Sequence, residues 1–71
     1  MKITNQITDD AVLVEIGERI TAIRINQQLT QADLARRAGV SKRTVERIES
    51  GKTAQLDTII RIYRTLDLLP G

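Results

Sequence analysis

The run Leu29-Thr30-Gln31-Ala32-Asp33-Leu34-Ala35-Arg36-Arg37-Ala38-Gly39-Val40-Ser41-Lys42-Arg43-Thr44-Val45-Glu46-Arg47-Ile48-Glu49-Ser50-Gly51-Lys52 decides how this chain folds. Thr30 to Asp33 resemble a capping box, with Asp33 where Glu or Gln is usual; hydroxyl and carboxylate each satisfy a backbone N–H at a helix start. Leu34, Ala35 and Ala38 follow as a buried side at helical spacing. Gly39 stops that helix, because glycine accepts the left-handed backbone found at many helix C-termini. Ser41 then caps a further helix over about 42–50. Val45 and Ile48 face inward there, and Gly51 ends it at the C′ position. Only Gly39, Val40 and Ser41 separate the two helices, so they cross sharply and share no independent hinge.

Two short helices joined through such a turn, with small Ala35 where the second passes close, make a helix-turn-helix at about 31–50. In that arrangement the second helix enters the major groove of DNA. With Val45 and Ile48 buried, its outward side shows Lys42, Arg43, Glu46 and Arg47. Lys42 and Arg43 lie in its first turn, where base-edge contacts are usually made. Arginine fits guanine O6 and N7 bidentately, and lysine reaches the same acceptors. Without the surrounding motif, such a charged side is better explained by solvation.

Working outward, Leu13, Ile16, Ile20 and Ile23 recur at three- and four-residue steps. They predict a helix from about Asp10, capped by Asp9 or Asp10, to about Asn26-Gln27-Gln28, with Leu29 as an anchor in the connection. Downstream, 56–66 read as a fourth helix, with Ile59, Ile62, Tyr63 and Leu66 on one side and Ile60 off it. Residues 1–9, polar with isolated Ile3 and Ile7, read as an arm before a single domain over 10–71. No strand pattern of convincing length occurs, so the expected fold class is all-α: a compact four- to five-helix domain.

Composition removes whole classes of function. The 71 residues include no Cys and no His, which excludes a disulfide framework, a zinc finger, a Cys or His nucleophile and an imidazole base. No cofactor or metal site is expected. The longest aliphatic run, Ala11-Val12-Leu13-Val14, is far short of a membrane span, and the first residues lack the apolar stretch of a signal peptide; a cytoplasmic location is the expectation. The single aromatic, Tyr63, disfavours a stacking platform for single strands. Charge is uneven. In 1–18, Lys2 stands against Asp9, Asp10, Glu15 and Glu18, a net of −3. In 19–53, Arg19, Arg24, Arg36, Arg37, Lys42, Arg43, Arg47 and Lys52 stand against Asp33, Glu46 and Glu49, a net of +5. A focused basic region suggests a polyanion partner.

Residues 16–66 resemble the phage-repressor-like (Cro/C1, XRE) helix-turn-helix domain, the lambda-repressor-like fold. The likeness is carried by Leu29-Thr30-Gln31, Leu34-Ala35, Gly39-Val40-Ser41, Thr44-Val45, Ile48-Glu49 and Gly51-Lys52. It implies a transcriptional regulator that binds double-stranded DNA sequence-specifically, commonly as a two-fold dimer, and that is not an enzyme. By position, Lys42, Arg43 and Arg47 would read bases. Gln31 would bond a phosphate, aided by the N-terminus of its helix. Ser41, Thr44 and Lys52 would hold the backbone, and Arg36 is a further candidate. Arg24 and Glu49 match a partly buried ion pair of the family, which would also aim Arg24 towards a phosphate. The family's usual fifth helix is expected to be absent or truncated. Leu66, Leu68 and Leu69 are therefore expected to be partly exposed and to serve a homodimer, with the arm as a possible second contact. The Leu68-Leu69 pair reads equally as a cap on the monomer core.

The same residues admit other readings. Glu46 reads as charge balance among its basic neighbours, with acceptance from cytosine N4 as the second reading. Gly51-Lys52-Thr53 imitates the end of a phosphate-binding loop, but the required glycine five positions earlier is Glu46, and Gly51 ends a helix. Ser41 and Ser50 have no His to activate them, and the pairs Asp9-Asp10 and Glu15-Glu18 lie where no cleft is evident. The main alternative function is a protein-interaction module, such as an antitoxin bound to a toxin, with secondary autoregulatory DNA binding. The acidic first 18 residues and the apolar tail motivate it.

Overall fold

The computed structural model describes residues 9–68 and places four helices in them: α1 Asp9–Asn26, α2 Gln31–Ala38, α3 Lys42–Glu49 and α4 Leu56–Thr65. No strand occurs among the described residues. α1 is already helical at Asp9, so Asp9 and Asp10 lie in its first turn and neither is its cap. Residues 1–8 of the expected arm, and Leu69, lie outside the described residues.

The capping box at Thr30 is complete. Asp33 N–H donates to Thr30 Oγ1 at 2.9 Å and Thr30 N–H donates to Asp33 Oδ2 at 3.0 Å. Ser41 caps α3 by accepting from Thr44 N–H at 3.0 Å. All four helices stop in the same way. The residues after them, Gln28, Gly39, Gly51 and Asp67, have φ of 61°, 73°, 87° and 62°. The next N–H then reaches back five residues: Leu29 to Arg24, Val40 to Ala35, Lys52 to Arg47 and Leu68 to Tyr63. This double turn-back satisfies carbonyls a helix end would otherwise leave unpaired. Glycine adopts the left-handed backbone without cost; Gln28 and Asp67 adopt it against a side-chain penalty.

The core is Ile20, Leu29, Leu34, Ala35, Ala38, Val45, Ile48, Ile62 and Leu66. α2 packs on α3 and on α4, and α1 packs on α3. The α1–α3 crossing depends on Gly17. A Cβ there would overlap the Ile48 carbonyl oxygen and lie 2.9 Å from that of Glu49. The end of α3 is therefore seated directly on the backbone of α1. Leu66 requires a correction: it is 1% exposed and belongs to the monomer core, so it offers nothing to a second chain. It follows Ile62 by one helical turn and fills the same interior. Leu68 is 37% exposed.

Candidate nucleic-acid interface

Burying Val45 and Ile48 at 0% and 1% exposure fixes the rotation of α3. Lys42, Arg43, Glu46 and Arg47 are consequently all exposed. Arg43, Glu46 and Arg47 line one cleft with Ser50 and Lys52. Lys52 reaches it because the left-handed Gly51 turns the chain back over the end of α3. A second cleft shares Ser50 and Lys52 and runs up to Asp10, Leu13 and Val14 of α1. Ser41 and Thr44 stand together at the start of α3, their hydroxyl oxygens 2.8 Å apart.

The electrostatics of α3 run against its own backbone. A helix N-terminus carries partial positive charge and favours acids; the C-terminus favours bases. α1 opens with Asp9 and Asp10 and ends with Arg24; α2 has Asp33 first and Arg36 and Arg37 last; α4 has Asp57 first and Arg64 last. The first turn of α3 holds Lys42 and Arg43 and no acid. Each misplaced charge forgoes about 0.3–1 kcal/mol. An anion brought to that end, by contrast, meets the dipole and the cations together.

Beneath this surface lies a second polar cluster. Arg24 Nε donates to Glu49 Oε2 at 2.6 Å and its Nη2 to Oε1 at 3.1 Å, while Nη1 donates to the Leu29 carbonyl at 2.8 Å. The Arg24 and Glu49 side chains are only 12% and 7% exposed. Gln31 Nε2 donates to the same Glu49 Oε1 at 3.0 Å. Burial pushes the Glu49 carboxyl up, but hydrogen bonds from Arg24, Gln31 and Thr21 and the Arg24 charge outweigh it and hold the group below its ordinary value. One carboxylate thus joins α1, α2 and α3. The Gln31–Glu49 bond and the Gly17 crossing are absent from the sequence reading. A glycine in the middle of a helix is itself a signal of close packing; nothing in the spacing points to the Gln31 bond.

Arg36 Nη2 pairs with Asp33 Oδ1 at 2.8 Å and stays 70% exposed. The Thr30 backbone N–H, then Arg36 and the Thr30 hydroxyl, hold the Asp33 carboxyl down to about 2. The described residues contain no group of acids able to hold a metal, and no helix among them is long and apolar enough to cross a membrane.

Comparison with known proteins places this geometry. The family profile described as helix-turn-helix matches residues 20–70. A curated protein of Methanospirillum hungatei JF-1, provisionally named an HTH-type transcriptional regulatory protein, is 37% identical over 51 residues. That stretch is 72% of this chain and 17% of the relative, so the chain spans under a fifth of the relative's length.

Proposed function

This chain belongs to the helix-turn-helix family of the phage-repressor-like type, and on that footing we propose that it is a transcriptional regulator that reads double-stranded DNA with α3. The observation that carries the reading is the first turn of α3, where Lys42 and Arg43 oppose the helix dipole and face solvent. α3 lies in the major groove, with Lys42, Arg43 and Arg47 at base edges. Ser41, Thr44, Lys52, Gln31 and the exposed Arg36 take the sugar–phosphate backbone. Arg24 has its three nitrogens directed to Glu49 and Leu29, so we assign it to the ion pair rather than to phosphate. The protein acts in the cytoplasm, without enzymatic chemistry, as a two-fold dimer whose α3 helices sit about 34 Å apart. Leu68, residue 69 and the arm are the candidate contacts.

A second reading, a module whose first duty is to bind another protein, is favoured by Val14, Ile25 and Leu56, which are 45%, 60% and 75% exposed. Selection of bound duplexes from a random pool decides between them. A recovered two-fold motif supports the regulator and gives its spacing. Recovery of no motif, with a stable complex formed instead with a partner protein, supports the second reading.

A further inference from the structure

We propose that Glu46 is a specificity-determining residue that selects an amino-bearing base, cytosine foremost, at one position of the DNA site beside the bases read by Arg43 and Arg47. The inference rests on the assignment of α3 as the reading helix.

The basic stretch 19–53 holds three carboxylates. Asp33 accepts from Thr30 N–H and from Arg36. Glu49 accepts from Arg24 and Gln31. Glu46 differs: no side chain or backbone group among the described residues donates a hydrogen bond to its carboxylate. Its nearest cation is Lys42 Nζ at 3.6 Å, in a pair with side chains 60% and 47% exposed. Helix energetics supply little reason for the acid at this place. Lysine precedes glutamate in the pair, the weaker order for an i,i+4 contact, and the carboxylate lies in the last turn, at the negative end of the dipole. Its position in space is specific, however, because it lines the cleft between Arg43, Arg47, Ser50 and Lys52.

An ionised carboxylate only accepts hydrogen bonds. In the major groove guanine shows N7 and O6 and thymine shows O4, all acceptors, whereas adenine shows a donor beside an acceptor and cytosine shows the N4 donor alone. A carboxylate facing acceptors loses its water without replacement and is penalised. Facing cytosine it recovers a charge-assisted hydrogen bond. Charge balance, the first reading of Glu46 from sequence, makes a different forecast: removing the acid then strengthens binding to every duplex alike.

The test selects duplexes from a random-sequence pool with the wild type, Glu46→Ala and Glu46→Gln, then titrates single-base-pair variants of each recovered site by fluorescence anisotropy. Circular dichroism verifies that the variants keep their helices, as expected for a half-exposed side chain. The wild type is expected to recover one cytosine position at which guanine or thymine weakens binding roughly tenfold. Glu46→Ala loses the preference at that position and keeps the others. Glu46→Gln moves it towards adenine, whose N6 and N7 match an amide. Recovery of the wild-type motif by Glu46→Ala, with affinity raised evenly on all duplexes, overturns the proposal and leaves Glu46 as charge balance. A wild type that recovers no motif overturns the DNA-reading function itself, and the Glu46 assignment with it.

Discussion

α2 and α3 are eight residues each and pack against one another, yet their charges run in opposite senses. α2 places Asp33 at its N-terminal end and Arg36 and Arg37 at its C-terminal end, as the backbone dipole favours, and its capping box closes both ways. α3 places Lys42 and Arg43 at its N-terminal end and relies on Val45, Ile48 and the Glu49 cluster to stay in place. The difference separates two demands on neighbouring segments. α2 is arranged for its own stability, whereas the first-turn cations of α3 stand against the helix dipole, an arrangement that would suit a bound anion.

Breaking the anchor of α3 should have the largest effect. Glu49→Ala leaves Arg24 buried without its partner, and such losses run to about 3–5 kcal/mol. For a domain whose whole stability is of order 5–15 kcal/mol, urea unfolding should show a much earlier midpoint; a loss under about 1 kcal/mol would count against the cluster as the anchor. Gly17→Ala comes next. The added methyl meets two carbonyl oxygens at the end of α3, and the overpacking should outweigh the helix-propensity gain by about 1–2 kcal/mol. Thermal melts that match the wild type would mean that α1 and α3 separate without cost.

The contrast between the helices is sharpest at Arg43. Arg43→Ala should weaken specific DNA binding by about 1–3 kcal/mol and relax the preference at one base pair. The same change should move folding stability by under about 0.5 kcal/mol, because the removed cation sat at the unfavourable end of α3. Equal losses on the selected site and on random DNA would remove Arg43 from the base readers.

Asp33 in α2 behaves in the opposite manner, and here the effect is smallest. Its carboxyl is held down to about 2 from an ordinary 3.8, so the folded state gives up that proton more readily than the unfolded chain does. The stability it contributes is complete above pH ~4 and is lost as the pH falls through about 2. Asp33→Asn should flatten this stretch of the acid-unfolding curve and leave base preference untouched. An acid response unchanged from the wild type would show that the ionised Asp33 carboxylate adds nothing to folding.

Most of the fold was legible because short-range rules govern it. Thr30, Gly39, Ser41 and Gly51 punctuate α2 and α3 at fixed offsets, and Leu34, Val45, Ile48 and Ile62 repeat at the period of a helix facing a core. Legibility failed where distance in sequence or backbone contact decides. Leu66 read as sharing a side with Ile62 yet left partly exposed for a second chain, whereas it is 1% exposed and closes the interior. Gln28 and Asp67 end their helices in a conformation that pattern reading reserves for glycine or asparagine. Gln31 read only as a first-turn residue poised for phosphate; its bond to Glu49, eighteen positions away, depends on how α2 and α3 cross. At the candidate interface, residue types and helix rotation were readable. The pairing state of each carboxylate was not, and that state separates Glu46 from Glu49.

Backbone amide NMR during titration with a selected duplex tests most directly whether the outward side of α3 meets DNA. The account predicts shifts concentrated at Gln31 and from Ser41 to Lys52, weakening as salt is raised, with the outer turns of α1 and the middle of α4 unmoved. Shifts centred instead on Val14, Leu56 and Ile60, with Arg43 and Arg47 silent, would contradict it.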